Sequence, residues 1–274
     1  MAGSGDLTLR DLRGGVRRVG PRLWLEAIRA VFIGKPRSLA ADATRIAARL
    51  DPPARLENLH LIPPHDPFVL VANHFQLPGL WIGWTVAAIT SAVAGARAPE
   101  GRELHWVALS EWPWFEVAGR WVPNPIASVL FSRASRVWGM IPIPARPADV
   151  TGRARAAMQI LSCLGCRPRT NGARPEPVGI FPEGRATVAL EEPRPGVGSL
   201  LHRISSRGVR LLPVGIHQEK GVLVIRFGEP FSLEDRSACQ QEDLDAWAGR
   251  QIMIAIARLL PERLWGAYAG VLGE

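Results

Sequence analysis

Two short stretches carry the side chains with chemistry to offer. In the first, FVLVANHFQLPGLW at 68–81, an apolar run from Phe68 to Ala72 ends on Asn73 and His74, then breaks at Pro78-Gly79. In the second, VGIFPEGRAT at 178–187, the run Val178 to Phe181 ends on Pro182-Glu183-Gly184-Arg185. The first supplies an imidazole, which exchanges protons near neutral pH. The second supplies a carboxylate and a guanidinium, whose planar fork of donors suits phosphate and carboxylate groups. Together they make a base, an acid and an anion binder, the parts needed for proton transfer on a bound anionic substrate.

Only a sheet would bring these two stretches together. Both runs are short, branched and bounded by Pro, Gly or Asp, which predicts buried strands. A strand that delivers a His to a turn before a helix puts the imidazole at the carboxyl edge of the sheet, where open α/β folds build their sites. Further strands are predicted at 105–109, 140–143, 211–216 and 222–227, and helices at 38–50, 127–137, 150–164, 199–206 and 244–260. Strands separated by helices predict an α/β fold with a mixed, mostly parallel central sheet flanked by helices. Residues 55–274 would form that domain, and residues 1–54 an N-terminal helical segment. No internal repeat is visible.

These residues resemble the glycerolipid acyltransferases (glycerol-3-phosphate and lysophosphatidate acyltransferases). The family's hallmark is Asn-His with an Asp after four intervening residues; Asn73-His74 match, and Gly79 stands where the Asp would be. The block Gly-x-Ile-Pro-x-x-x-Arg is similar to Gly139-Met140-Ile141-Pro142-Ile143-Pro144-Ala145-Arg146. Phe-Pro-Glu-Gly-Thr-Arg is matched one residue tighter by Phe181-Pro182-Glu183-Gly184-Arg185, and an apolar strand with Leu-Pro-Val by Leu211 to Ile216. The four blocks stand in the family's order across roughly residues 55 to 230.

The resemblance implies an enzyme of phospholipid biosynthesis that moves a fatty acyl group from acyl-CoA or acyl-carrier protein to a hydroxyl of a glycerolipid precursor. His74 would be the general base. Arg185, and less directly Arg146, would grip a phosphate; Glu183 would contact the acceptor or orient Arg185, with Gly184 and Asn73 as further substrate contacts. No metal or organic cofactor is implied. Two positions depart from the family: Gly79 lacks the carboxylate that would hold the imidazole, and Leu109 stands where many members carry a phosphate-binding Lys. A backbone carbonyl, a water beside Gly79, or another carboxylate such as Glu111 are all open as substitutes. A catalytically silent relative that binds lipid or acyl thioester without turnover is the alternative.

Composition bounds the partners. Lys plus Arg number 33 against 25 Asp plus Glu, a net charge of +8, and Lys35 and Lys220 are the only lysines. A positive field favours anionic partners such as phospholipid headgroups. No basic run with interleaved aromatics marks a nucleic-acid track, so nucleic acid is not expected. Leu9, Leu12, Val16, Val19 and Leu23 recur at helical spacing among arginines. That pattern fits a helix lying on an anionic membrane or one packed on the domain, and places the chain peripherally at the cytoplasmic membrane face. Leu80 to Ala96 carries no charge and is near the lower limit of spanning length; a buried or membrane-dipping helix is expected rather than a span. Clustered tryptophans between 81 and 138 suit a lipid boundary or a core equally. Cys163, Cys166 and Cys239 make no disulfide framework; Cys163 and Cys166 read as small buried residues. His60, His65, His105, His202 and His217 read as structural or exposed.

Overall fold

The computed structural model describes residues 21–77, 80, 82–97, 103–110, 113–117, 120–123, 125–145, 149–167, 174–233 and 243–273. Its strands are β1 (Arg55–Glu57), β2 (Phe68–Ala72), β3 (His105–Leu109), β4 (Pro113–Val117), β5 (Arg120–Pro123), β6 (Ile141–Ile143), β7 (Val178–Ile180), β8 (Arg210–Glu219) and β9 (Val222–Phe227). Among the described residues they form a seven-stranded sheet, β1-β9-β8-β2-β7-β3-β6, and a separate antiparallel β4–β5 hairpin. Within the large sheet β8–β9 is the antiparallel pair and the others run parallel. The fold is therefore α/β with a mixed, mostly parallel sheet, as the sequence predicts.

The helices are α1 (Pro21–Ile33), α2 (Leu39–Ala47), α3 (Ile82–Ala96), α4 (Pro125–Val137), α5 (Val150–Cys163), α6 (Val197–Ser205), α7 (Leu244–Ala257) and α8 (Ala269–Leu272). The expected helical pattern at 7–20 lies outside the described residues; α1 begins at Pro21, a residue suited to the first helical position. The uncharged stretch becomes α3, whose Trp84, Ile89 and Val93 are buried in the core. Most of its residues are buried, as in the first of the two readings of that stretch. The α2 N-terminus is anchored to the domain by Glu103, which accepts from the Ser38 hydroxyl and from the Ala40 N–H at 3.1 Å.

Why β2 sits at the centre follows from its sequence. A parallel strand covered on both faces must be apolar throughout, and all five residues of Phe68–Ala72 are fully buried. Partners across a parallel register share a face, so Leu70, Gly179 and Trp106 lie together. The Trp106 indole donates to Thr90 Oγ1 of α3 at 2.9 Å, which puts α3 over that face. Gly179 is required there, since a Cβ would stand 2.7 Å from the Trp106 ring. Gly215 of β8 points to the other face, where Leu259, just past α7, closes over it. The loop entering β2 is held by Arg97, a buried guanidinium that donates to the carbonyls of Pro63, His65 and Asp66.

The sequence did not signal β1. It is three residues long, and Arg55 and Glu57 break any apolar alternation. Charge holds it at the sheet edge instead: Arg226 of β9 donates to Glu57 at 2.6 Å, and Arg55 pairs with Glu219. Charged edges of this kind also discourage pairing with another chain.

Candidate active site at the ends of β2 and β7

Because β2 and β7 are parallel neighbours, their carboxyl ends emerge side by side. His74 lies two residues beyond β2 and Glu183 three beyond β7. The His74 backbone N–H donates to Glu183 Oε2 at 2.7 Å. Glu183 Oε1 accepts the Thr187 hydroxyl at 2.9 Å and the Glu191 N–H at 3.0 Å. The Thr187 N–H donates to the His74 carbonyl, and the Gln76 N–H to the Thr187 carbonyl, each at 3.0 Å. These bonds, with the Phe75–Thr187 bridge, continue the ladder past the last regular residue.

Glu183 is therefore part of the frame. It is 1% exposed, and its carboxylate bonds three donors from two segments. Burial pushes its carboxyl pKa up, and those same hydrogen bonds oppose the shift. Asn73 has a similar part. Its Nδ2 donates to the Ile216 carbonyl at 2.8 Å and its Oδ1 accepts the Ile216 N–H at 2.7 Å. The buried amide thus acts as one more rung between β2 and β8. Both residues were expected as substrate contacts; the structure places both as supports.

The His74 ring packs on Phe181, centroids 4.7 Å apart and tilted 60°, and Phe181 stacks on Trp106 at 4.8 Å. The ring is partly exposed, but Nδ1 is buried and has no hydrogen-bond partner among the described residues. Burial lowers the imidazole pKa below its ordinary value, and a backbone hydrogen bond at Arg185 pulls weakly the other way. The ring is thus neutral at pH 7, the form a general base requires.

Gly184 has φ +61°, a left-handed turn conformation natural to glycine, and Arg194 packs where a Cβ would project. The turn directs Arg185 outward, with 62% of its side chain exposed and an ion pair to the half-exposed Glu191. A solvated pair of this kind contributes little, so an arriving anion can compete for the guanidinium. Arg146, Gly79 and Glu111 lie outside the described residues. Leu109 closes β3 next to Ile143 and is 45% exposed.

Sequence reasoning missed Thr187, Glu191 and the Phe181–Trp106 stack. Thr187 and Glu191 belong to a loop whose residues look unremarkable until Glu183 gathers them. Among the described residues, no His, Cys, Asp and Glu cluster has metal-site geometry, and no helix is long and apolar enough to cross a membrane.

No family model matches the sequence, and no curated protein does. Among solved structures, the chain is similar to the 1-acyl-sn-glycerophosphate (LPA) acyltransferase PlsC from Thermotoga maritima. The two are 16% identical, the match covers 86% of this chain and 88% of that chain, and the TM-score is 0.44. The likeness is too distant to carry an argument about this chain's chemistry.

Proposed function

We propose that the chain is an acyltransferase in which His74 activates an acceptor hydroxyl for attack on an acyl thioester. The observation that carries the reading is the meeting of His74 with the Phe181–Arg185 turn at adjacent strand ends. In this scheme the neutral imidazole takes the hydroxyl proton as the oxygen bonds to the thioester carbonyl. With Nδ1 sealed, the exchange falls to Nε2, which must give up the backbone hydrogen bond at Arg185 to take the acceptor hydroxyl. The tetrahedral adduct then collapses, the C–S bond breaks, and the departing thiolate recovers the proton as a thiol. Atoms and charge balance without a metal or an organic cofactor. Arg185, exposed and paired with Glu191, would exchange that partner for an anionic group of the acceptor or of the donor. Acyl-CoA or acyl-carrier protein would be the donor and a glycerolipid precursor the acceptor.

One observation favours a second reading, a silent relative that binds lipid or thioester without turnover. Nδ1 of His74 has no acceptor among the described residues, so the imidazolium formed during catalysis would be poorly supported. In a serine-protease triad, disabling the supporting carboxylate costs roughly 10⁴ in turnover.

Purified protein assayed with labelled acyl-CoA against glycerol phosphate, lysophospholipids and neutral alcohols separates the two. Transfer that falls roughly 10²–10⁴-fold in His74→Ala, the range expected for a positioned base, supports the enzyme. Saturable lipid binding with no transfer from any donor would establish the silent form instead.

A further inference from the structure

We infer that α1 and α4 together form one docking face for an anionic phospholipid bilayer. The inference does not depend on the acyl-transfer reading. On α1, Leu23 and Ala30 face inward, while Leu25, Ile28 and Phe32 stand outward at helical spacing, with Leu25 67% and Phe32 65% exposed. On α4, Ile126 is 71% and Val129 57% exposed, with Leu130 beside them. The two helices pack against each other. Their junction is fixed by the Arg37 N–H bonded to the Val137 carbonyl at 2.8 Å and by the Trp138 indole bonded to Asp42 at 2.9 Å. Two outward apolar faces are therefore held side by side. Exposed apolar surface on this scale marks a docking site rather than ordinary surface.

Charge selects the occupant. α4 contains no acidic residue, and its Arg133 and Arg136 are exposed. Around α1, Arg22, Arg29 and Lys35 are exposed. The acids of this region are engaged by arginines: Glu26 bonds Arg45 at 2.8 Å and Arg37 at 3.4 Å, and Asp42 bonds Arg37 at 2.6 Å. What remains outward is apolar and cationic. A second copy of the same face would set cations against cations, whereas an anionic headgroup layer over hydrocarbon complements both features. Neither helix spans: each is thirteen residues long, about 20 Å at the helical rise, short of a hydrocarbon core. The face would lie in the interface plane.

Flotation of the full chain with phosphatidylcholine vesicles, with and without phosphatidylglycerol, tests this at low and high salt. The chain is expected to float with the phosphatidylglycerol vesicles, and less so as salt rises. The double variants Leu25→Glu/Phe32→Glu and Val129→Glu/Leu130→Glu are each expected to lower partitioning roughly a hundredfold, the loss of two inserted apolar side chains. All four residues are outward, so thermal melts should be unchanged. Wild-type protein that stays unbound overturns the docking face. An α4 variant that floats like wild type overturns its composite nature. A lipid-free dimer that both variants dissociate assigns the face to self-association and also overturns it. Transfer to a water-soluble acceptor is expected unchanged in both variants, so docking and chemistry fail separately.

Discussion

Two histidines stand near opposite ends of strands that flank β7, and their surroundings differ in one respect. His105 opens β3 at the amino end. Its Nδ1 bonds the Gly139 carbonyl at 2.6 Å and its Nε2 bonds Glu176 at 2.8 Å. With an acceptor for each nitrogen the protonated ring is favoured, and its pKa rises despite the burial that opposes it. His74 follows β2 at the carboxyl end, has its Nδ1 buried without a partner among the described residues, and has its pKa lowered. The same side chain is held toward its protonated form at one edge and is a neutral, incompletely satisfied ring at the other. A structural histidine completes its hydrogen bonds, whereas a base must keep a nitrogen in reserve. His217 shows why the orphaned nitrogen does not identify a site by itself. It too is buried with Nδ1 unpartnered among the described residues and its pKa lowered, and Arg226, Arg263, Glu219 and Glu57 act on it, yet it lies within β8 rather than beyond a strand end beside the turn of a parallel neighbour.

The sharpest break in this contrast comes from the support under His74. Glu183→Ala leaves the His74 N–H, the Thr187 hydroxyl and the Glu191 N–H without their acceptor. At about 1 kcal/mol or more for each buried orphan, a loss of roughly 3 kcal/mol is expected in urea unfolding. Any transfer activity should fall with it. Activity that survives the stability loss would show that Glu183 props up the loop but not the base.

The next effect lies at the other end. His105→Phe strands Gly139 O and Glu176 and is expected to cost about 2 kcal/mol, with turnover per folded molecule unchanged. A fall in turnover would mean that the two ends are coupled.

The smallest effect is in the pH dependence, and its sign differs between the rings. His105, with its pKa raised, contributes stability that is complete below the ordinary imidazole value of 6.5 and fades as pH rises through its folded value. His74 and His217, with pKa values lowered, cost stability as pH falls below 6.5, because the unfolded chain then binds more protons. Urea midpoints measured across pH should therefore decline on both sides in the wild type. His105→Phe should remove the decline on the alkaline side alone.

How much of this could be read from the sequence depended on the range of each interaction. The bounds of β2 were visible because five apolar residues sit between Pro67 and the polar Asn73, and β3 and β9 were legible although His105 and Arg226 interrupt their apolar runs. The placement of His74 followed from its position at a strand end. The bonds of Asn73 were not legible because its partner is Ile216, 143 residues away, and no local pattern marks an amide that extends a ladder. The enclosure of Glu183 was not legible either, since a Glu-Gly-Arg turn looks the same whether the carboxylate faces solvent or is enclosed. The β4–β5 hairpin was missed because its Trp- and Pro-rich sequence lacks the alternation that signals paired strands.

A single carboxylate latches the strand end to the loop beyond β7, so those two segments cannot loosen independently. When the loop from Glu183 to Glu191 breathes away, the main chain beneath the imidazole loses its anchor in the same event. Amide protons of His74 and Glu191 should then trade with solvent at a common pace, slow while the latch is shut and fast once it lifts.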